Sequence, residues 1–327
     1  MRVLLIRPGA LGDVLLILPV VQALHSQWPD ITIDMMGNPA VLRLLCGRTA
    51  VHAVWSFDGL DIGPMFHPEA RPTSELGERF GGYDVTISYA GPADGVFARN
   101  LTRIAQGRVI HWDARAGSHI GMHMSEFLQR PLLELGVPLC ADPPRLRLTA
   151  QDRQQAAAWF AEHSFVNGPS VALHPGSGSP AKNWPAEQFA GLARCLDAAA
   201  QQVVLIVGPA DGGPANVVQG EMRGMSLTAA VGLPLWLVAA ILECCAGYVG
   251  NDSGISHLAA AVGVPVVAIF GPTDPRVWAP RGGPVTVLRG SAARESSEDG
   301  PLHSLETVSV QMVIGALQAM SALPEDL

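Results

Sequence analysis

The chain is short of charge and almost without lysine. Charged residues make up 15% of its 327 positions, and 20 of its 21 basic side chains are arginine, leaving Lys182 as the lone ammonium. So little charge beside 48% hydrophobic content raises the question of a membrane protein. No uninterrupted apolar run reaches the roughly 18–20 residues that span a bilayer, however. The longest candidate, 235–249, contains Glu243 and two cysteines. Arg7, Pro8 and Asp13 break the apolar start, which reads as a buried strand rather than a secretory leader. The cysteines, Cys46, Cys140, Cys195, Cys244 and Cys245, are odd in number and form no CxxC pair. That excludes a disulfide framework or a cysteine zinc site and fits a reducing, cytoplasmic compartment. GxGxxG is missing after the first strand, and DxD, HExxH and GxSxG are missing altogether. A nicotinamide dinucleotide fold, an acidic metal–nucleotide clamp, a zinc protease and a serine hydrolase thus lose their usual signatures.

Net charge is −8, which argues against nucleic acid as a partner. It is unevenly spread. Residues 1–150 hold 13 basic and 14 acidic side chains, a net of −1, and the remainder 8 and 15, a net of −7. Arginine-biased coding explains the first figure blandly; a function for the excess would be an acceptor bearing phosphate or carboxylate.

The organisation is α/β. Short apolar runs at 3–6, 31–35, 85–88 and 109–111 predict buried parallel strands, and 14–27 carries helical spacing with Pro19 as a kink. A proline-containing stretch around 139–152 marks the domain boundary, placing the domains at 1–150 and 151–327. The alternation then recurs: strands at 170–173, 203–207, 247–249 and 265–270, helices at 151–163, 185–200, 235–245 and 255–262. The stretch 290–300, rich in Ser, Glu and Gly, reads as a surface loop, and 308–320 as a last amphipathic helix. Two such halves predict two Rossmann-like domains facing across a cleft.

Three stretches carry chemistry, each just after a predicted strand, where open parallel sheets bind ligands. In RPGALGD (7–13), Asp13 stands near a helix start, either as a helix cap or as a proton acceptor. In HPGSGSPAKNWP (174–185), small residues let a phosphate approach backbone N–H groups and Lys182 supplies a compact charge, unless it is a surface lysine that escaped the arginine bias. In GNDSGISHLAAA (250–261), a polar turn opens a small-residue helix whose first amides and dipole suit a diphosphate. His257 lies early on that helix as a ligand contact or a packed core histidine. Thr273 and Asp274 follow the next strand and line the same pocket or simply make the turn that Gly-Pro predicts.

With VLLIRPGALGDVLLILPVVQAL, HPGSGSPAKNWPAEQFAGLA and GNDSGISHLAAAVGVPVVAIFGPTDP in this order, the chain resembles glycosyltransferase family 9, the ADP-heptose:lipopolysaccharide heptosyltransferases, nearly end to end. The resemblance implies the GT-B fold, with an N-terminal acceptor domain, a C-terminal donor domain and a last helix crossing back to the first. It implies inverting, metal-independent transfer of heptose from ADP-heptose to a lipopolysaccharide-core or related glycan, with no cofactor and with peripheral association at the inner membrane face. Asp13 matches the general base and Lys182 a donor-diphosphate contact. Ser177 and Gly178 match the phosphate loop, and Asp252, Ser253, Gly254 and His257 the main donor turn. Asp211 matches an acidic residue on the donor nucleoside.

Two departures from the family stand out. The cysteines many members carry in the late loop are missing from 290–300, and the strongly basic acceptor face is replaced by a near-neutral, lysine-free half. Arg103, Arg108, Arg115, His119 and His123 remain as acceptor contacts. The rival classes are a sugar-nucleotide epimerase of the same fold, which needs no acceptor, and a binding protein that keeps the donor pocket without turnover.

Overall fold

The computed structural model describes residues 1–68, 73–115, 121–163, 169–297 and 300–324. The chain forms two compact units, Met1–Arg147 and Leu148–Leu327. No helix among the described residues is long and apolar enough to cross a membrane.

In the first unit, β1 (Arg2–Ile6) leads into α1 (Leu11–Leu15) and α2 (Leu18–Gln27), and β2 (Thr32–Gly37) into α3 (Pro39–Leu42). β3 (Val51–Ser56) precedes α4 (Ser74–Gly81), β4 (Val85–Ser88) precedes α5 (Val96–Ile104), and β5 (Arg108–His111) precedes α6 (Met124–Phe127). The five strands pair in parallel in the order β3-β2-β1-β4-β5. Residues 3–6 of β1 and all of β4 are buried, as a strand covered on both faces must be. Pro19 does more than kink a helix. It ends one and starts another, because it has no N–H to give and its ring would press on the carbonyl four residues back. The break falls between Leu15 and Leu18 and leaves Pro19 in the first turn of α2.

The second unit opens with α7 (Ala150–Glu162), capped by Thr149, whose hydroxyl accepts the Asp152 N–H while the Asp152 carboxylate accepts that of Thr149. Then come β6 (Ser170–His174), α8 (Ala186–Ala198), β7 (Gln202–Val207), α9 (Gly212–Glu221), β8 (Leu227–Val231) and α10 (Leu235–Cys244). β9 (Gly247–Asn251), α11 (Gly254–Val262), β10 (Val266–Phe270), α12 (Pro275–Trp278) and β11 (Val285–Arg289) complete the sheet, whose parallel order is β11-β10-β9-β6-β7-β8.

One expectation gives way here. Residues 291–297 and 300–304 are strand rather than loop: β12 (Ser291–Ser297) and β13 (Gly300–Ser304) pair antiparallel through main-chain hydrogen bonds. The last helix is α13 (Val310–Ala319). It packs on α8, β10 and β11, and Val310, Val313, Ala316 and Leu317 join the core of the second unit.

Trp184 ties that core to the ligand edge of the sheet. Its ring is wholly buried and meets Phe189 edge to face; the indole N–H donates to the Val308 carbonyl at 2.9 Å, and its backbone N–H to Asn251 Oδ1 at 2.8 Å. Trp184→Ala is expected to cost about 3–5 kcal/mol of stability. Trp184→Phe, which leaves the ring but strips the Val308 carbonyl of its donor, should cost about 1–3 kcal/mol. Urea unfolding midpoints check both; a Phe variant as stable as the parent removes the hydrogen bond from the account.

Candidate active site

In a doubly wound sheet the crevice opens where consecutive strands step off in opposite directions, outside their carboxyl ends. In the first unit that point lies between β1 and β4, and in the second between β6 and β9. Each holds a buried polar cluster.

At the end of β1, Arg7 is 7% exposed, and its guanidinium Nη2 donates to Asp13 Oδ1 at 2.7 Å. Asp13 is not the cap itself but the third residue of α1. Its other oxygen, Oδ2, accepts the Ala10 N–H at 3.0 Å, so it closes the helix start from within while Ala10, the cap residue, has no side chain to offer. A third of the Asp13 side chain stays exposed, against 8% for Arg7. Burial lowers the Arg7 pKa and the neighbouring Asp13 charge opposes that shift. Gly9 is required twice over. Its φ is +147°, and a Cβ there would come within 2.7 Å of Asp13 Oδ2. Tyr89, one residue past β4, is fully buried and its phenol is pushed up by desolvation; its hydroxyl donates to the Leu128 carbonyl at 2.7 Å. The result is a carboxylate presented by a rigid, positively backed turn.

The second cluster is built on strand ends. His174 ends β6 and Asn251 ends β9, both buried. His174 Nε2 lies 3.0 Å from Asp211 Oδ2, and Ser253 Oγ 3.3 Å from His174 Nδ1. Asp211 Oδ2 also accepts the Gly208 N–H at 2.7 Å. Burial pushes the Asp211 pKa up, but these bonds outweigh it and hold the carboxyl below its ordinary value. Asp211 is therefore turned into the protein and braces His174, rather than reaching out to a nucleoside. Gly176 is fixed by it, since a Cβ there would sit 1.7 Å from Asp211 Oδ1. Ser253 Oγ also caps α11, accepting the Ser256 N–H at 3.4 Å.

Above this floor, Lys182 Nζ donates to Asp252 Oδ2 at 2.7 Å and Thr273 Oγ1 donates to the same oxygen at 2.6 Å. The Lys182 side chain is 30% exposed and that of Asp252 9%. Asp252 thus acts as the anchor of the ammonium; a carboxylate would repel a phosphate directly. Gly254 and Ile255, the first residues of α11, are half-buried beside it, so their amides start the helix next to the ammonium. Asn251 Nδ2 donates to the Pro175 and Gly176 carbonyls at 2.9 and 3.2 Å and holds the 174–185 loop against β9. Ser177 Oγ is engaged inside that loop, 2.6 Å from the Ser179 carbonyl, whereas Gly178 faces open space. His257 is 6% exposed within α11.

Lys182, Asp252, Ser253, Gly254 and His257 thus share one strand-end crevice, and Asp13 occupies the matching one in its own unit. The acceptor set is scattered. Arg108 opens β5, at the amino edge of the sheet, and is paired to Glu134 at 2.9 Å. Arg103 sits in the last turn of α5, which runs back to that same edge, and donates to Asn100 Oδ1 at 3.2 Å. His123 is buried, with its ring nitrogen 2.8 Å from Ser125 Oγ, and caps α6. His123 is thus buried, and Arg103 and Arg108 lie away from the carboxyl edge. Arg115, beyond the carboxyl end of β5 and paired with Asp113 at 3.3 Å, remains there. His119 lies outside the described residues. Arg7, His174 and Asn251 join the site without a motif of their own. Their signal in the sequence is a polar side chain at, or just past, the last position of an otherwise apolar strand.

The family model for glycosyltransferase family 9 (heptosyltransferase) matches residues 114–305, more than half of the chain. The lipooligosaccharide heptosyltransferase 2 of Haemophilus influenzae is 26% identical, over 98% of this chain and 100% of its own. Among solved structures, a family 9 glycosyl transferase from Veillonella parvula aligns with a TM-score of 0.79 at 20% identity, covering 98% of this chain and 96% of that one. The E. coli ADP-heptose LPS heptosyltransferase II aligns at 0.78 and 22%, over the whole of both chains. These last two fix the fold as GT-B, two parallel-sheet α/β units. A cation-bearing crevice in one unit, a carboxylate-bearing one in the other and a family match that spans residues of both meet in one conclusion: the chain is a glycosyltransferase and belongs to glycosyltransferase family 9.

Proposed function

We propose that this enzyme transfers heptose from ADP-heptose to a lipopolysaccharide core or a related glycan, with inversion and without a metal ion. The observation that carries the reading is the Lys182 ammonium held by Asp252 and Thr273 at the opening turn of α11. A diphosphate laid on the amides of Gly254 and Ile255 takes up charge as the bond from the anomeric carbon to its oxygen breaks. Amides, helix dipole and ammonium are already in place, so the growing charge is stabilised without reorganisation. This is the work a metal does in other sugar transferases. Lys182 keeps two further N–H donors when Asp252 holds one.

Asp13 is the base of this reaction. As the acceptor oxygen bonds to the anomeric carbon from the face away from the diphosphate, its proton passes to the Asp13 carboxylate and ADP leaves. Arg7 fixes the Asp13 rotamer from behind. The sugar and nucleotide follow the names of the relatives, heptosyltransferases of lipooligosaccharide and lipopolysaccharide. Such an acceptor places the work at the cytoplasmic face of the inner membrane, with the protein held there peripherally.

Incubation with ADP-heptose and a heptose-deficient core acceptor should release ADP and add one heptose to the acceptor by mass. ADP-heptose isomerised without acceptor would instead reveal an epimerase, and binding without ADP release a non-catalytic protein. Asp13→Asn should lower kcat by about 10²–10⁴ with ADP affinity unchanged in calorimetry; normal turnover in that variant removes Asp13 from the chemistry. Lys182→Ala removes a charge-assisted bond worth about 1.5–3 kcal/mol, roughly ten- to a hundredfold in the Kd for ADP. Equal affinity in parent and variant would contradict its contact with the diphosphate.

A further inference from the structure

A cavity of about 830 Å³ opens on the first unit at the amino edge of its sheet, the edge away from Asp13. It lies between the last turn of α2, the residues entering β2 and β3, and the segment that ends the unit. Its volume is that of small-molecule sites, which run to about 300–1,000 Å³. Arg48, Arg145 and Arg147 line it together with His25, against one carboxylate, Asp142.

The arginines come together for a structural reason. Segment 145–148 is extended, with Leu146 and Leu148 buried and Arg145 and Arg147 exposed, so alternation sends both guanidinium groups to one side. The Arg147 N–H donates to the Arg48 carbonyl at 3.0 Å, which pins the segment beside the loop before β3. Arg48 is itself positioned, its Nη1 donating to the Cys46 carbonyl at 3.2 Å. Arg145 and Arg147 have no carboxylate partner among the described residues, whereas Arg2, Arg7, Arg79, Arg108, Arg115, Arg153, Arg194 and Arg276 each have one. The planar forks of Arg145 and Arg147, unpaired among the described residues and side by side at a hollow, suit phosphate oxygens.

We infer that this cavity is a second binding site, separate from the transfer site, for a ligand carrying a phosphate group: a phosphorylated sugar or a phospholipid head group. It stands independently of the donor and acceptor chosen above.

The test has two arms, read on the full chain, on Lys182→Ala and on the double variant Arg145→Gln/Arg147→Gln. Calorimetry with glucose 6-phosphate probes the soluble source; sedimentation with vesicles of phosphatidylcholine, alone or mixed with phosphatidylglycerol, probes the head group. One-to-one binding of the sugar phosphate that survives Lys182→Ala and weakens about tenfold or more in the double variant assigns the soluble ligand. Sedimentation with the anionic vesicles only, lost in the double variant, assigns the lipid. Arg145→Lys/Arg147→Lys should retain part of either binding, and unchanged thermal midpoints show that the variants fold. No binding in either arm, binding that the double variant keeps, or binding that Lys182→Ala abolishes overturns the site.

Discussion

The ion pair between Lys182 and Asp252 is the constraint around which the second unit is arranged. A carboxylate this buried has to be matched, and here one oxygen receives both the ammonium and the Thr273 hydroxyl. Those partners come from different places: Lys182 from the loop after β6, Asp252 from the turn after β9, Thr273 from the turn after β10. Satisfying one buried charge therefore fixes three strand ends relative to one another. The ammonium is left facing outward at the start of α11, its position set before any ligand arrives. Removing the anchor would free the lysine; removing the lysine would strip a buried carboxylate of its countercharge.

Beneath the pair lies a second tier of buried polar groups. Asp211, His174 and Ser253 run in a line from one strand end to the cap of α11, and Asn251 holds the 174–185 loop by two carbonyls. Trp184 then locks this tier to the core beneath α13. The first unit solves the same problem with fewer parts. Arg7 is buried, its pKa lowered by burial, and Asp13 is the charge that compensates it. A side chain assigned to proton transfer is thus also what keeps a buried guanidinium tolerable, so its position is over-determined by electrostatics as well as by helix capping.

The acceptor contacts that the family resemblance led one to expect do not gather at one place on the first unit. Arg103 and Arg108 point to the wrong edge of the sheet and His123 is consumed as a cap. Arg145 and Arg147 stand together elsewhere, on the segment that closes the unit, with Arg48 at the same cavity. Charge counting over 150 residues could not show this, because a near-zero net charge says nothing of where its cations gather.

By itself the sequence determined the alternation of strands and helices and the three strand-following loops that hold Lys182, Asp252 and Asp13. Those signals are local: central parallel strands are apolar on both faces, and glycine-rich turns follow them. Within the two parallel sheets, the strands it did not register, β3, β8 and β11, are edge strands whose residues are mostly half-exposed, so their hydrophobic runs are diluted. Strand order, and with it the coincidence of both polar clusters with the switch points of their sheets, came only from tertiary structure, because pairing joins segments that no local pattern relates. The same holds for Arg7 behind Asp13, Asp211 behind His174 and Arg145 beside Arg48. Which partner neutralises a buried charge is decided by where the folded chain brings it, and composition cannot say.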